Sequence, residues 1–256
     1  MRLGGRIAVV SGAARGIGRA IAIALATDGA DVGLFDLSDA VAETAVAVRA
    51  LGRRAAWAKG DVSDFGQVQA GIASIVGELG PVDILVNNAG IVKNIAPIEK
   101  MEPAAWEREI AINLSGAFHM VRAVIGGMAE RRWGRVVNIS SVAARGGLYN
   151  QVGYAASKSG LLGLTYNVTL EYAHKGITCN AILPGTIGSE TVMAMPAAIL
   201  ERLTAATPAK RVGRPEEVAR LVAFLCSEDA GFINGAEIDI DGGIRLNALA
   251  APGQKL

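Results

Sequence analysis

The sequence predicts one α/β domain, residues 1–256, in which a parallel sheet carries helices on both faces. Three observations predict it: short unbroken apolar runs rich in Val and Ile, segments of helical apolar spacing between them, and 32 glycines spread between the two rather than clustered. Strands covered on both faces read as continuous apolar runs, because neither side of the pleat meets water. Such runs occupy 7–10, 32–35, 84–86, 136–139, 177–183 and 238–240. Helical spacing occupies 19–28, 40–51, 67–79, 105–131, 154–174 and 216–226, and Pro215 ahead of Glu216 and Glu217 suits a helix first turn. Alternating strands and helices imply right-handed crossovers, with ligands at the carboxyl ends of the strands.

Composition excludes several classes. With 51% hydrophobic residues, disorder is ruled out. Twenty-five Lys and Arg against 24 Asp and Glu leave a net charge of +1, no basic excess for a nucleic acid or an anionic membrane. The longest purely apolar stretches fall short of the ~20 residues that span a bilayer, and no leader pattern opens the chain, so a cytoplasmic protein is expected. Cys179 and Cys226 each lie in an apolar run and read as buried thiols. His119 and His174 lack partners for a metal or a nucleophilic triad, so both read as structural and no metal site is expected.

The first apolar run leads into Ser11, Gly12, Ala13, Ala14, Arg15, Gly16, Ile17 and Gly18. Glycines at 12, 16 and 18 let a backbone turn sharply and approach a pyrophosphate at a helix N-terminus. In a glycine-rich chain this run alone could be a mere turn; its place after a strand and before a helix gives it weight. Asp36 ends the next strand, near the ~20-residue spacing at which an acid meets an adenosine ribose. A carboxylate there accepts ribose hydroxyls and repels a 2′-phosphate, which favours NAD over NADP. Arg15 pulls the other way, since a guanidinium beside the loop could pair with a 2′-phosphate, serve the pyrophosphate or simply face solvent.

Tyr154 and Lys158 are four apart, on one face of a helix. Alone, that spacing usually marks an amphipathic surface. A neighbouring ammonium would, however, stabilise a phenolate and bring a phenol with pKa near ~10 toward useful range. The apolar run ending in Ile139 delivers Ser140 and Ser141 to the ligand-binding edge of the sheet, where a hydroxyl can polarise a carbonyl.

Together with Asp61 and Val62, with Asn87, Asn88, Ala89 and Gly90, with Asn113, with Pro184 and Gly185, and with Asp241, Gly242 and Gly243, this set resembles the classical branch of the short-chain dehydrogenase/reductase family over about 240 residues. The resemblance implies a three-layer Rossmann fold, a doubly wound parallel sheet of about seven strands. It also implies direct hydride transfer from or to a nicotinamide. Tyr154 would exchange a proton with the substrate oxygen, Ser141 would hydrogen-bond that oxygen, and Lys158 would lower the tyrosine pKa and bind the nicotinamide ribose. Ser140 would be structural, since the family serine lies thirteen positions before the tyrosine. The Asn113 carbonyl would hold a water leading from Lys158 to solvent. Asp61 and Val62 would flank the adenine, Asp61 being spared from capping because Ser63 and Asp64 can cap the next helix. Asn88, Ala89 and Gly90 would meet the adenosine ribose, with Asn87 structural. Pro184, Gly185 and Ile187 would wall the nicotinamide. Ser189 and Ser11 stand where the family usually has threonine, and both keep a hydroxyl.

By the same resemblance, 189–208 would be a lid over the substrate. Its Met193, Met195, Pro196, Ile199, Leu200 and Leu203 suit a secondary alcohol or ketone with an apolar body, although a plain packed helix would read the same way. Leu148, Tyr149 and Gln151 would line the pocket. Self-association as a homotetramer through 105–131 and 154–174 is implied, with the tail 244–256 reaching a subunit interface. The general appearance is that of 3-oxoacyl-acyl-carrier-protein reductases and relatives acting on free alcohols. Arg131, Arg132 and Lys175 could front an acidic carrier, or be solvated charge; those reductases generally use NADPH, which Asp36 opposes. A nucleotide-sensing module on the same fold is the non-enzymatic alternative, for which Ser141, Tyr154 and Lys158 together would be superfluous.

Overall fold

The computed structural model describes residues 2–246. Seven strands, β1 (Ile7–Ser11), β2 (Asp31–Asp36), β3 (Ala55–Lys59), β4 (Ile84–Asn87), β5 (Gly134–Ile139), β6 (Ile177–Pro184) and β7 (Glu237–Ile240), form one parallel sheet in the order β3-β2-β1-β4-β5-β6-β7. The order reverses between β1 and β4, which pair in register from Ala8 opposite Ile84 to Val10 opposite Val86. That reversal opens the crevice at the carboxyl edge where ligands bind in doubly wound sheets.

The helices are α1 (Gly16–Thr27), α2 (Val41–Ala50), α3 (Phe65–Leu79), α4 (Pro103–Ile110), α5 (Gly116–Arg131), α6 (Ala143–Gly146), α7 (Val152–Tyr172), α8 (Glu190–Met193), α9 (Ala197–Ala206) and α10 (Pro215–Leu225). They cover both faces. On one, Ile21 and Leu25 of α1 and Val218 and Val222 of α10 pack with Val32 and Leu34; on the other, Ile75 of α3 and Met120 and Met128 of α5 pack with Phe35 and Cys179. Cys179 and Cys226 are free and fully buried, and burial pushes each thiol up to about 12.

Three features differ from the sequence pattern. β3 carries no Val or Ile, its apolar run being Ala55–Ala58, and as an edge strand it turns Trp57 and Lys59 to solvent. α1 starts at Gly16 rather than residue 19, its first turn being built from the glycine loop. The segment 105–131 is not one regular helix: a π turn, Ala111–Ser115, joins α4 to α5. By length and hydropathy the continuous helix Pro103–Arg131 could span a bilayer. Here it packs against α3 and α7 and along β4 and β5. Most of the tail 244–256 lies outside the described residues; Ile244–Leu246 forms a single 3-10 turn.

Candidate active site

The glycine loop and the β4 loop interlock. Gly12 has φ +65, and a Cβ there would stand 2.8 Å from the Ala89 Cα; a Cβ on Gly18 would stand 2.0 Å from the Gly12 carbonyl oxygen. Only glycine lets these backbones approach. The Ser11 hydroxyl accepts from the amides of Asn88 and Ala89, both at 3.1 Å, while Asn88 Nδ2 donates to the carbonyls of Ser11 and Gly12 at 3.1 and 3.0 Å. Asn87 donates to Asn138 at 2.8 Å across the sheet, as befits a structural residue. Arg15 precedes α1 in extended conformation and no side chain caps the helix, so the first-turn amides, those of Ile17 and Gly18 included, remain available to an anion. These residues fit a dinucleotide pyrophosphate.

Asp36 is more than a ribose acceptor. Its Oδ2 accepts from the Ala14 amide and its Oδ1 from the Ser38 amide, each at 2.9 Å, so the carboxylate is fixed against the loop while each oxygen keeps a lone pair. Arg15 is exposed and forms no ion pair among the described residues. Asp61 departs from expectation, because it is locally occupied. Asp64 does cap α3, accepting from Gln67, but Asp61 Oδ1 accepts from the Ser63 amide and hydroxyl at 2.9 and 2.6 Å, and Oδ2 takes 2.7 Å from Arg108 of α4. Burial raises its carboxyl, yet the bonds from Ser63 and Arg108 outweigh that and hold the pKa below the usual carboxylate value. Val62 is buried on Gly116, and its carbonyl lies 2.9 Å from His119 Nδ1.

The catalytic wall is β5, α6 and α7. Ser140 donates to the Lys158 carbonyl at 2.8 Å, fixing α7 to the strand, whereas the Ser141 hydroxyl accepts from the Ala143 amide at 3.1 Å and, beside Tyr154, acts to lower the phenol pKa. Lys158 is buried; its Nζ donates to the Ile139 carbonyl at 2.8 Å and stands 5.7 Å from the Tyr154 ring centroid. Asn113 lies in the π turn, a feature common at functional sites. Its side chain accepts from the Ile91 amide at 2.7 Å and donates to the Ile91 carbonyl and to Ser157 of α7. Gly90 closes the group: a Cβ there would lie 3.2 Å from Asn113 Oδ1 and 3.5 Å from Lys158 Nζ.

One electrostatic expectation is corrected. Desolvation raises the Tyr154 pKa above its ordinary value, the Glu109 carboxylate adds to that, and only Ser141 opposes it. Lys158, whose ammonium donates to the Ile139 carbonyl, is itself depressed by burial to about 8.

Pro184 ends β6, and the Gly185 amide donates to Ile240 at 3.1 Å; a Cβ on Gly185 would meet the Asp241 Cα at 2.9 Å. Ile187 is buried and bridges to Gly213. The Ser189 hydroxyl accepts from Val192 at 3.5 Å, capping α8. Neither α8 nor α9 contains a buried residue. Met193 is exposed, as are Leu148 and Tyr149. Gln151 points its Oε1 inward without a partner among the described residues. Val92, Ile95 and Ile98, exposed on the loop after β4, add an apolar edge that no sequence signal singled out. Arg108 and Glu109 were likewise missed: charged residues in a helix look ordinary. Arg131, Arg132 and Lys175 sit at the opposite end of the sheet, beside the starts of β4, β5 and β6; Arg131 reaches Asp83 and Arg132 the His174 carbonyl. They do not border this crevice.

A family model described as enoyl-(acyl carrier protein) reductase matches residues 12–245. An acetoacetyl-CoA reductase of Rhizobium meliloti is 46% identical over 245 residues, covering 93% of this chain and 98% of that protein. A cis-4-hydroxycyclohexanecarboxylate dehydrogenase of Sinomonas cyclohexanicum is 40% identical over 238 residues, covering 93% and 96%. The crystal structure of levodione reductase superposes with a TM-score of 0.93 at 36% identity, covering 96% of this chain and 100% of that one.

Proposed function

The chain belongs to the short-chain dehydrogenase/reductase family, oxidoreductases acting on alcohol and keto groups, and we propose that it interconverts a secondary alcohol and a ketone on a largely apolar small molecule with NAD. One observation carries the reading: β5 and α7 bring Ser141, Tyr154 and Lys158 to one end of the crevice while Asp36 stands fixed at the other. Tyr154 gives its proton to the substrate oxygen in reduction and takes it back in oxidation; Ser141 hydrogen-bonds the same oxygen. Lys158 holds the ribose hydroxyls and, through the Asn113 carbonyl, joins a proton route to solvent. When bound, the nicotinamide supplies or accepts the hydride.

On the adenosine side, Gly12, Gly16, Ile17 and Gly18 cradle the pyrophosphate with Arg15 beside it, and Asn88, Ala89 and Gly90 meet the ribose. Asp61 and Val62 flank the adenine, Asp61 sharing its carboxylate with Arg108. Pro184, Gly185, Ile187 and Ser189 wall the nicotinamide. Asp36 accepts the ribose hydroxyls and leaves a 2′-phosphate facing a fixed negative charge, which supports NAD. Met193 and the exposed apolar side chains around it support an apolar substrate, in keeping with the ring-borne alcohol in the name of one relative.

A second reading, reduction of a 3-oxoacyl thioester with NADPH, is favoured by the name of another relative and by the unpaired Arg15. A homotetramer through α5 and α7 and a cytoplasmic location complete the proposal. The test is turnover of acetoacetyl-CoA and of 4-oxocyclohexanecarboxylate by the purified enzyme with NADH and with NADPH, and again with Tyr154→Phe. NADH-driven reduction of the ring ketone, abolished by the substitution, supports the first reading; preference for the thioester with NADPH supports the second; turnover retained by Tyr154→Phe defeats the mechanism.

A further inference from the structure

Glu109 of α4 has no exposed surface. Its Oε1 accepts two long bonds, from the amides of Lys93 at 3.3 Å and Asn94 at 3.4 Å, and its Oε2 has no partner among the described residues. Beyond Oε2 lies Gly153, the residue immediately before Tyr154, where a Cβ would stand 2.6 Å from that oxygen. The carboxylate therefore fills the space of the absent side chain, at the residue that precedes Tyr154 on α7. Burying an acid with so little compensation is costly, and an apolar residue could fill the same volume.

We propose that Glu109 is a positioning residue that sets the pH at which Tyr154 parts with its proton, its buried carboxylate keeping the hydroxyl in the acid form that carbonyl reduction needs. The proposal rests on Tyr154 being the acid/base group. The charges facing this point are few. From α7 come Tyr154 itself and Lys158, whose ammonium is engaged by the Ile139 carbonyl. The loop after β4 contributes the Lys93 and Asn94 amides and no charge, the Lys93 side chain being exposed. On α4 itself, Glu107 and Arg108 are exposed, and Arg108 is paired with Asp61. A negative neighbour in a low-dielectric setting opposes a second negative charge, so Glu109 works with burial to raise the phenol pKa. Gly153 is the enabling residue, since any side chain there would displace the carboxylate.

The sign is definite. Oxidation requires Tyr154 to accept a proton, so its rate climbs as pH rises through the phenol pKa; reduction requires the proton to be present, so its rate falls through the same pKa. Removing the charge by Glu109→Gln should move both limbs about one unit toward lower pH, which is about tenfold faster oxidation on the acid side of the limb. Glu109→Asp, which restores the charge, should bring the limb back toward wild type. The experiment is a pair of kcat/KM profiles with whichever probe above the enzyme turns over. A tyrosinate absorbance titration runs beside it, with the corresponding Tyr154→Phe form subtracted from wild type and from Glu109→Gln to isolate this residue from the other three tyrosines. Should the amide variant fail to bind NADH, Glu109→Val carries the same expectation. Limbs and titration midpoint unmoved, or moved equally by Glu109→Asp, overturn the proposal. Turnover retained by Tyr154→Phe would defeat the acid/base reading, while the titration alone would still report whether Glu109 governs the phenol.

Discussion

The wall that carries Ser141, Tyr154 and Lys158 and the segment of α8 and α9 are built in opposite ways. Behind Ser141, Tyr154 and Lys158 every element is pinned: Ser140 holds the Lys158 carbonyl, Ile139 holds the ammonium, and Asn113 ties the loop after β4 to Ser157. By contrast, α8 and α9 contain no buried residue, and the apolar side chains of Met193, Met195 and Ile199 are exposed. Proton and hydride transfer need groups held within fractions of an ångström, which only a rigid scaffold provides. Accepting an apolar substrate needs a surface that can adapt its shape, which a lightly anchored, methionine-bearing helix provides. Under the proposed function, chemistry falls to the stiff half and selectivity to the compliant half.

The sharpest way to break this contrast is Tyr154→Phe. It should lower kcat by at least ~10²-fold, as loss of a general acid/base does, while NADH affinity by fluorescence titration stays within a few-fold. Lys158→Met should cost a similar factor, now with weakened cofactor binding, and should alter stability with a definite pH dependence. The folded pKa of Lys158 lies near 8, below its ordinary 10.5, so folding disfavours the charged form. The resulting penalty, roughly 3 kcal/mol before solvent relaxation, is full below pH 8, fades between 8 and 10.5 and is gone above. Losing the Ile139 contact offsets part of any gain, by about 1–3 kcal/mol, at every pH. Melting curves should therefore show the variant's stability relative to wild type falling as pH rises across that window; a constant difference would contradict the burial of the ammonium.

Gly18→Ala, a smaller change in a rigid place, should destabilise by about 1–3 kcal/mol and abolish measurable NADH binding, since the new methyl would collide with the Gly12 carbonyl at 2.0 Å. Met193→Ala, in the compliant region, should leave kcat nearly unchanged and shift KM by no more than about fivefold, with melting temperature unaltered, because its side chain is largely exposed. If Met193→Ala proved as damaging as Gly18→Ala, the division of labour would be wrong.

The same division governs what the sequence reveals. β1, β2, β4, β5 and β6 were legible because strands covered on both faces leave apolar runs rich in Val and Ile; β3 was not, because this edge strand, with exposed Trp57 and Lys59, holds neither. The spacing of Gly12, Gly16 and Gly18 and of Tyr154 and Lys158 announced the two ends of the crevice, since those spacings are dictated by a turn and a helix. What stayed hidden depends on contacts between distant segments. Arg108 meeting Asp61, Ser11 bridging to Asn88, and Glu109 lodged against Gly153 are long-range pairings that local pattern does not encode. The π turn at Asn113 escaped for a related reason: the apolar period runs through it unbroken, while the ties from Asn113 to Ile91 and Ser157 come from elsewhere in the chain. The depressed ammonium of Lys158 and the raised phenol of Tyr154 follow from burial, which becomes visible only once the elements are packed.

The cofactor is where the account is most exposed, because Asp36 and the unpaired Arg15 stand within one loop of each other and favour opposite nucleotides. Fluorescence titration of the purified protein with NADH and then with NADPH, repeated for Asp36→Ala, tests it most directly. The account predicts binding of NADH at least ~10-fold tighter than of NADPH, a factor worth about 1.4 kcal/mol, and collapse or reversal of that preference in Asp36→Ala. Tighter binding of NADPH by the unaltered protein would contradict it and make the thioester reductase the better reading.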